Sequence, residues 1–71
     1  MNEMVKMYKE RYPQGTRIEL INMSDPFAPV ESGTKGTVVC VDDMGQIHMK
    51  WDNGRTLALI PGEDSFRKIE E

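Results

Sequence analysis

The chain predicts an all-β fold, a small antiparallel barrel with one short helix in front of it. Three observations lead there. Apolar residues recur at helical spacing only near the N-terminus. From Thr16 onward, short runs rich in Val, Ile, Leu and Thr follow one another closely. Gly, Pro, Asn and Asp separate these runs and mark turns. The 71 residues make one domain with one core. A chain of this size buries only about 60% of its unfolded surface, so it gains little margin from burial alone. One cysteine, Cys40, excludes an internal disulfide and fits a reducing compartment.

Residues 2–11 read as the helix. Asn2 suits its N-cap, Glu3 its first turn, and Lys9 and Arg11 its last. Met4, Val5, Met7 and Tyr8 form one apolar stripe, and Pro13 and Gly15 end the element. That stripe is expected to close one end of the barrel or, through its methionines, to form an adaptable partner surface. "TRIELIN" alternates, with Ile18 and Leu20 on one face and Arg17, Glu19 and Ile21 on the other. "MSDPFAPVES" reads as a loop. "GTKGTVVCVDD" is the next strand, its glycines at 33 and 36 indicating a bend or bulge on entry, and Cys40 reads as a packed core or half-buried thiol. "DDMG" is a turn, "QIHMKW" and "RTLALI" are strands flanking "DNG", "PGED" is a turn, and "SFRKI" is a short last strand. The economical solution is an SH3-like five-stranded antiparallel barrel over residues 16–71, with helix and linker over 1–15. Closing the sheet would hide its edges.

Two turns are available to "WDNGR". A two-residue turn at Asn53 and Gly54 sets Lys50 against Leu57 and His48 against Leu59, mixing polar and apolar residues on both faces. A three-residue loop of Asp52, Asn53 and Gly54 sets Trp51 against Arg55, Met49 against Leu57 and Ile47 against Leu59. The second register gives one apolar face and is expected, because burial sets register. It is a type I turn followed by a bulge, and it requires Gly54 in the left-handed conformation.

The segments "YPQGTRIELINM", "GTKGTV", "WDNGR" and "LALIPGEDSFRKI" together resemble a family of small proteins known as a domain of unknown function, over about Tyr12 to Ile69. Its members are typical of bacteriophages and integrative conjugative elements of Gram-positive gut and oral bacteria. The family has no assigned activity, so the resemblance transfers no functional residue. A narrower likeness, limited to "GTKGTVV" and "WDNG", is to peptide-binding SH3-like modules of the Mind-bomb type. KOW-type modules, which bind RNA or protein, share the glycine-led strand but are more basic. The resemblances imply a barrel, and binding rather than catalysis.

The residues bearing chemistry agree with a non-enzyme. His48 is the single histidine, with no acid–base partner expected nearby and no pocket around it. Asp42, Asp43, Asp52, Glu63 and Asp64 sit in turns, and "DDMGQ" is too short to wrap a hard cation. One Cys and one His give no zinc spacing, and "GTKGT" lacks the spacing and following helix of a phosphate loop. No cofactor and no metal are expected. A net charge of −3 and a pI near 5.1 argue against sequence-blind nucleic-acid binding. No apolar run approaches the ~18 residues of a membrane span, and the first residues are too polar for a signal peptide. A soluble, cytoplasmic protein is the expectation.

The expected ligand groove has Phe27, Pro29 and Trp51 as its apolar wall, rimmed by Asp52, Arg55 and Asp64, with Pro61 beside them. The competing reading tucks Phe27 under its loop as a lid on the core. Three functions follow. The first is a non-catalytic SH3-like module that binds an unidentified protein or peptide, as an accessory or regulatory factor of a phage or mobile element. The second is a KOW-like nucleic-acid binder using a stripe of Lys35, Lys50, Arg55 and Arg67. The third is an acidic inhibitor of a host nucleic-acid enzyme. The oligomeric state is left open.

Overall fold

The computed structural model describes residues 2–70, so the outermost positions of the two expected segments, Met1 and Glu71, lie outside the described residues. Helix α1 spans Glu3–Arg11, and the Asn2 carboxamide oxygen accepts the Val5 amide at 2.8 Å as its cap. Only half of its expected stripe docks. Val5 is buried and Tyr8 half-buried, whereas Met4 and Met7 face solvent. The contact surface is the turn after the second strand, where Gly45 passes beneath Val5 and Tyr8. Lys9 adds an ion pair to Asp43 at 2.7 Å.

Four strands follow: β1 Arg17–Asn22, β2 Lys35–Val41, β3 Ile47–Trp51 and β4 Ser65–Ile69. All their pairings are antiparallel, in the order β3-β2-β1-β4. The inner face of the sheet carries Ile18 and Leu20 from β1, Val38 and Val41 from β2, and Ile47, Met49 and Trp51 from β3. Met23, Val30 and Leu59, from the connecting segments, complete the core, and Tyr12 meets Phe66 edge-on at 5.6 Å beside it.

The hairpin after β3 has the expected register at both ends. The Gly54 amide donates to the Trp51 carbonyl and the Trp51 amide to the Arg55 carbonyl, each at 2.9 Å, while Gly54 holds φ +90. Ile47 and Leu59 exchange both backbone bonds. The expected strand over "RTLALI" nevertheless does not form. The rung between Met49 and Leu57 is missing, and the Leu57 carbonyl accepts the Trp51 indole N–H at 2.8 Å. Residues 56–58 are drawn off the ladder, so the structure is a small, mostly β fold with an open four-stranded sheet and one helix. A closed five-stranded barrel is not formed.

Two further expectations are corrected. Cys40 is exposed rather than packed, because β2 has a bulge against β3 between Val38 and Cys40. The extra residue, Val39, restores the inward face at Val41 and leaves Val39 and Cys40 outside. The expected bend on entry to β2 falls at Gly33, which holds φ +91 and donates to the Leu20 carbonyl at 2.7 Å, whereas Gly36 has a different role. It lies in register with Trp51, and a Cβ there would stand 2.7 Å from the indole Cε3 and 3.1 Å from the Trp51 backbone. The missing side chain is what lets the indole lie against β2. Gly36→Ala is therefore expected to destabilise the fold by about 1–3 kcal/mol through overpacking, measured as a lower midpoint in urea unfolding. An unchanged midpoint would remove Gly36 from this role.

Candidate functional site

A cleft of about 340 Å³ opens between the first residues of the β1–β2 loop and the segment leading to β4. Met23, Pro26, Leu57, Ala58 and Ile60 give it apolar walls, and Asp25, Glu63 and Asp64 supply carboxylates. No Lys, Arg or His is among its lining residues.

Asp64 joins the two walls. It is 8% exposed, and its Oδ1 accepts from the Ser24 amide at 2.9 Å and the Ser24 hydroxyl at 3.1 Å. Its Oδ2 accepts from the Ile60 amide at 2.8 Å. A buried carboxylate holding three donors ties the loop to the "IPGED" turn, where Gly62 at φ +93 and an Ile60–Glu63 backbone bond follow the expected turn. Asp64 is thus a structural clasp whose carboxylate is committed to the fold. It is not the open rim charge expected from the sequence.

The loop beyond the cleft is fixed from two sides. Asp25 Oδ1 accepts the Phe27 amide at 2.8 Å and the Ala28 amide at 3.3 Å. Arg55 donates to the carbonyls of Ala28, at 2.5 Å, and Pro29, at 3.4 Å. Buried Met23 and Val30 anchor its two ends. On this braced backbone the Phe27 side chain is 93% exposed, which excludes the reading of Phe27 as a lid on the core.

Of the seven residues expected to form a groove, only Asp64 lines the cleft. Trp51, expected in its wall, is 1% exposed and belongs to the core. Asp52 pairs with Arg17 through two contacts of 2.8 and 2.7 Å, away from the cleft lining, and the Arg17 guanidinium holds the Asp52 carboxyl below its ordinary pKa. Arg55 and Pro29 meet as donor and acceptor in the loop brace, and Pro61 bridges to Asp64. Leu57 and Ile60 were concealed by the strand expected at 55–60, and Glu63 was read only as a turn acid. Asp64's principal partner, Ser24, lies 40 residues away, so no local pattern names it.

The expected basic stripe is interrupted. Cross-strand register aligns Lys50 with Thr37 and Arg17, and Lys35 with Glu19 and Arg67, on the outer face of the sheet. Glu19 stands between Lys35 and Arg67 and binds Arg67 at 2.6 Å, while Arg55 is occupied in the loop brace. The outer face also corrects the reading of His48. Its Nε2–H donates to Asp42 Oδ2 at 2.8 Å, so it has a carboxylate partner after all. That bond, with the Gln46 and Met44 amides, lowers the Asp42 pKa; the Lys9 ammonium does the same for Asp43. His48 and Asp42 are not among the cleft lining. Among the described residues no group of three or more His, Cys, Asp or Glu is arranged to hold a metal ion, and no helix is long and apolar enough to cross a membrane.

The fold and cleft define a small β-rich domain with a partly apolar, acid-lined concavity. The chain belongs to the family described as "Domain of unknown function (DUF4314)", whose model matches residues 1–69 and so takes in the N-terminal helix as well as the sheet. Comparison with curated proteins and with solved structures gives no significant match.

The clasp has a measurable consequence. Asp64→Ala leaves the Ser24 and Ile60 amides without their acceptor and is expected to cost about 2–4 kcal/mol in chemical unfolding. A loss below roughly 0.5 kcal/mol, the range of ordinary surface changes, would contradict the assignment.

Proposed function

We propose that this chain is a non-catalytic, protein-binding module of the cytoplasm, and that a segment of its partner lies in the cleft beside Phe27. One observation carries the reading: a fully exposed aromatic is held on a braced loop at the margin of a partly apolar cleft. Loop order costs conformational entropy, and here hydrogen bonds to the Asp25 carboxylate and from Arg55 offset that cost within the chain. A rigid aromatic of this kind gives large contact area with little further ordering on association.

The architecture is a variant of the SH3-like barrel in which the segment after the hairpin leaves the sheet to wall the cleft. The strand order and the bulged "WDNG" hairpin support that reading. An accessory or regulatory role in a phage or mobile element rests on the sequence resemblance alone. Protein is favoured over nucleic acid for two reasons. Carboxylates interleave the cations of the outer face, and Trp51, the largest stacking surface available, is buried.

The test is affinity capture from the native host with the wild type and with a Phe27→Ala, Ile60→Lys double variant. Both side chains are exposed, so the variant is expected to keep its thermal midpoint within a few degrees. It should lose at least about tenfold in recovered partner, the loss of one anchor contact. Equal recovery by both proteins would refute the cleft as the binding surface.

A further inference from the structure

We infer that the occupant of the cleft is a cationic segment of another protein, one that places an apolar side chain between two basic ones. The inference rests on the function proposed above and specifies its ligand. The cleft has one uncommitted carboxylate on each wall. Asp25 is half-buried and accepts from its own loop through Oδ1 alone among the described residues, and Glu63 is exposed on the opposite segment. Apolar surface from Met23, Leu57 and Ile60 lies between them, and no basic residue lines the cleft to neutralise them. A segment matching this arrangement brings its apolar group to the floor and one Lys or Arg to each wall. Phe27, beyond the Asp25 wall, then packs on the aliphatic part of a basic side chain or over its cation.

The same charges decide against the other self-consistent occupant, a second copy of this chain. A knob, Phe27, next to a hole, the cleft, is the pattern of a two-fold interface in which each copy fills the other. Such an interface would bring Asp25 and Glu63 of the two copies together around the axis, and like charges there are repulsive. Charge complementarity therefore selects a basic partner over self-association.

The test is selection of a random-peptide display library on the purified full chain, beside sedimentation of the chain alone. Enrichment of sequences with Lys or Arg on both sides of an apolar residue is the expected result. An enriched peptide should then bind the Asp25→Asn, Glu63→Gln double variant roughly 2- to 30-fold more weakly, the loss of two exposed charge pairs. Asp25→Asn keeps the Oδ1 acceptor of the loop, so retained thermal midpoint and retained Asp25 turn are expected. Glu63→Lys alone, at an exposed turn position, is a second variant and should weaken binding in the same direction. Enriched peptides without basic residues, or affinities that both variants leave unchanged, would overturn the inference while leaving the cleft as a peptide site. No enrichment together with a sedimenting dimer would overturn it in favour of a second copy. No enrichment from a monomer would overturn the proposed function as well.

Discussion

The contact between Trp51 and its two neighbours organises this molecule. The indole lies against Gly36 on one strand and gives its N–H to the Leu57 carbonyl on the following segment. A buried indole N–H needs an acceptor, because leaving it unpaired costs the desolvation of a strong donor. Here the acceptor is the carbonyl of Leu57, a residue that lies off the hairpin ladder. One side chain thus fills the core and holds the segment that leaves the sheet. The consequence propagates outward, since residues 56–58, released from the ladder, supply Leu57 and Ala58 to the cleft.

The cleft depends on a second buried polar group. Asp64, buried ahead of β4, accepts three hydrogen bonds at its carboxylate, from the Ser24 amide and hydroxyl and the Ile60 amide. This ties the β1–β2 loop to the "IPGED" turn, the two segments that wall the concavity. Arg55 plays the matching part on the loop's far side, and its position follows from the bulged turn that Gly54 permits. The binding surface is therefore built from departures from regular sheet structure, each compensated by a named polar bond. That agrees with the general placement of function on loops positioned by a rigid scaffold.

The same distinction explains what was legible in the sequence. The helix and its cap, the alternation of β1 and β3, and the hairpin register depend on neighbours within a few residues, and all are readable there. Cys40 was misplaced because a bulge at Val39 shifts the alternation by one, and nothing in "TVVCV" distinguishes a bulged run from a regular one. The strand at 55–60 was misread because its competitor for the Leu57 carbonyl is a side chain. Trp51 was expected at a groove edge, although its alternation with Ile47 and Met49 already placed it on the buried face. His48 and Asp42 are close in sequence, yet their bond depends on how the intervening turn folds. Asp25, Glu63 and Asp64 look alike as turn acids, and only tertiary distance separates the clasp from the two open carboxylates.

The indole proton of Trp51 reports the central contact directly, and the chain has one tryptophan, so its signal is unambiguous. Its exchange with solvent can be followed by NMR in native conditions. If the N–H is bound to Leu57 in a sealed core, it exchanges only through global opening and is as protected as the amides of β2 and β3. Exchange at the rate of a free indole, with those amides still protected, would show that Trp51 does not bind Leu57 and would contradict this account of the sheet and its cleft.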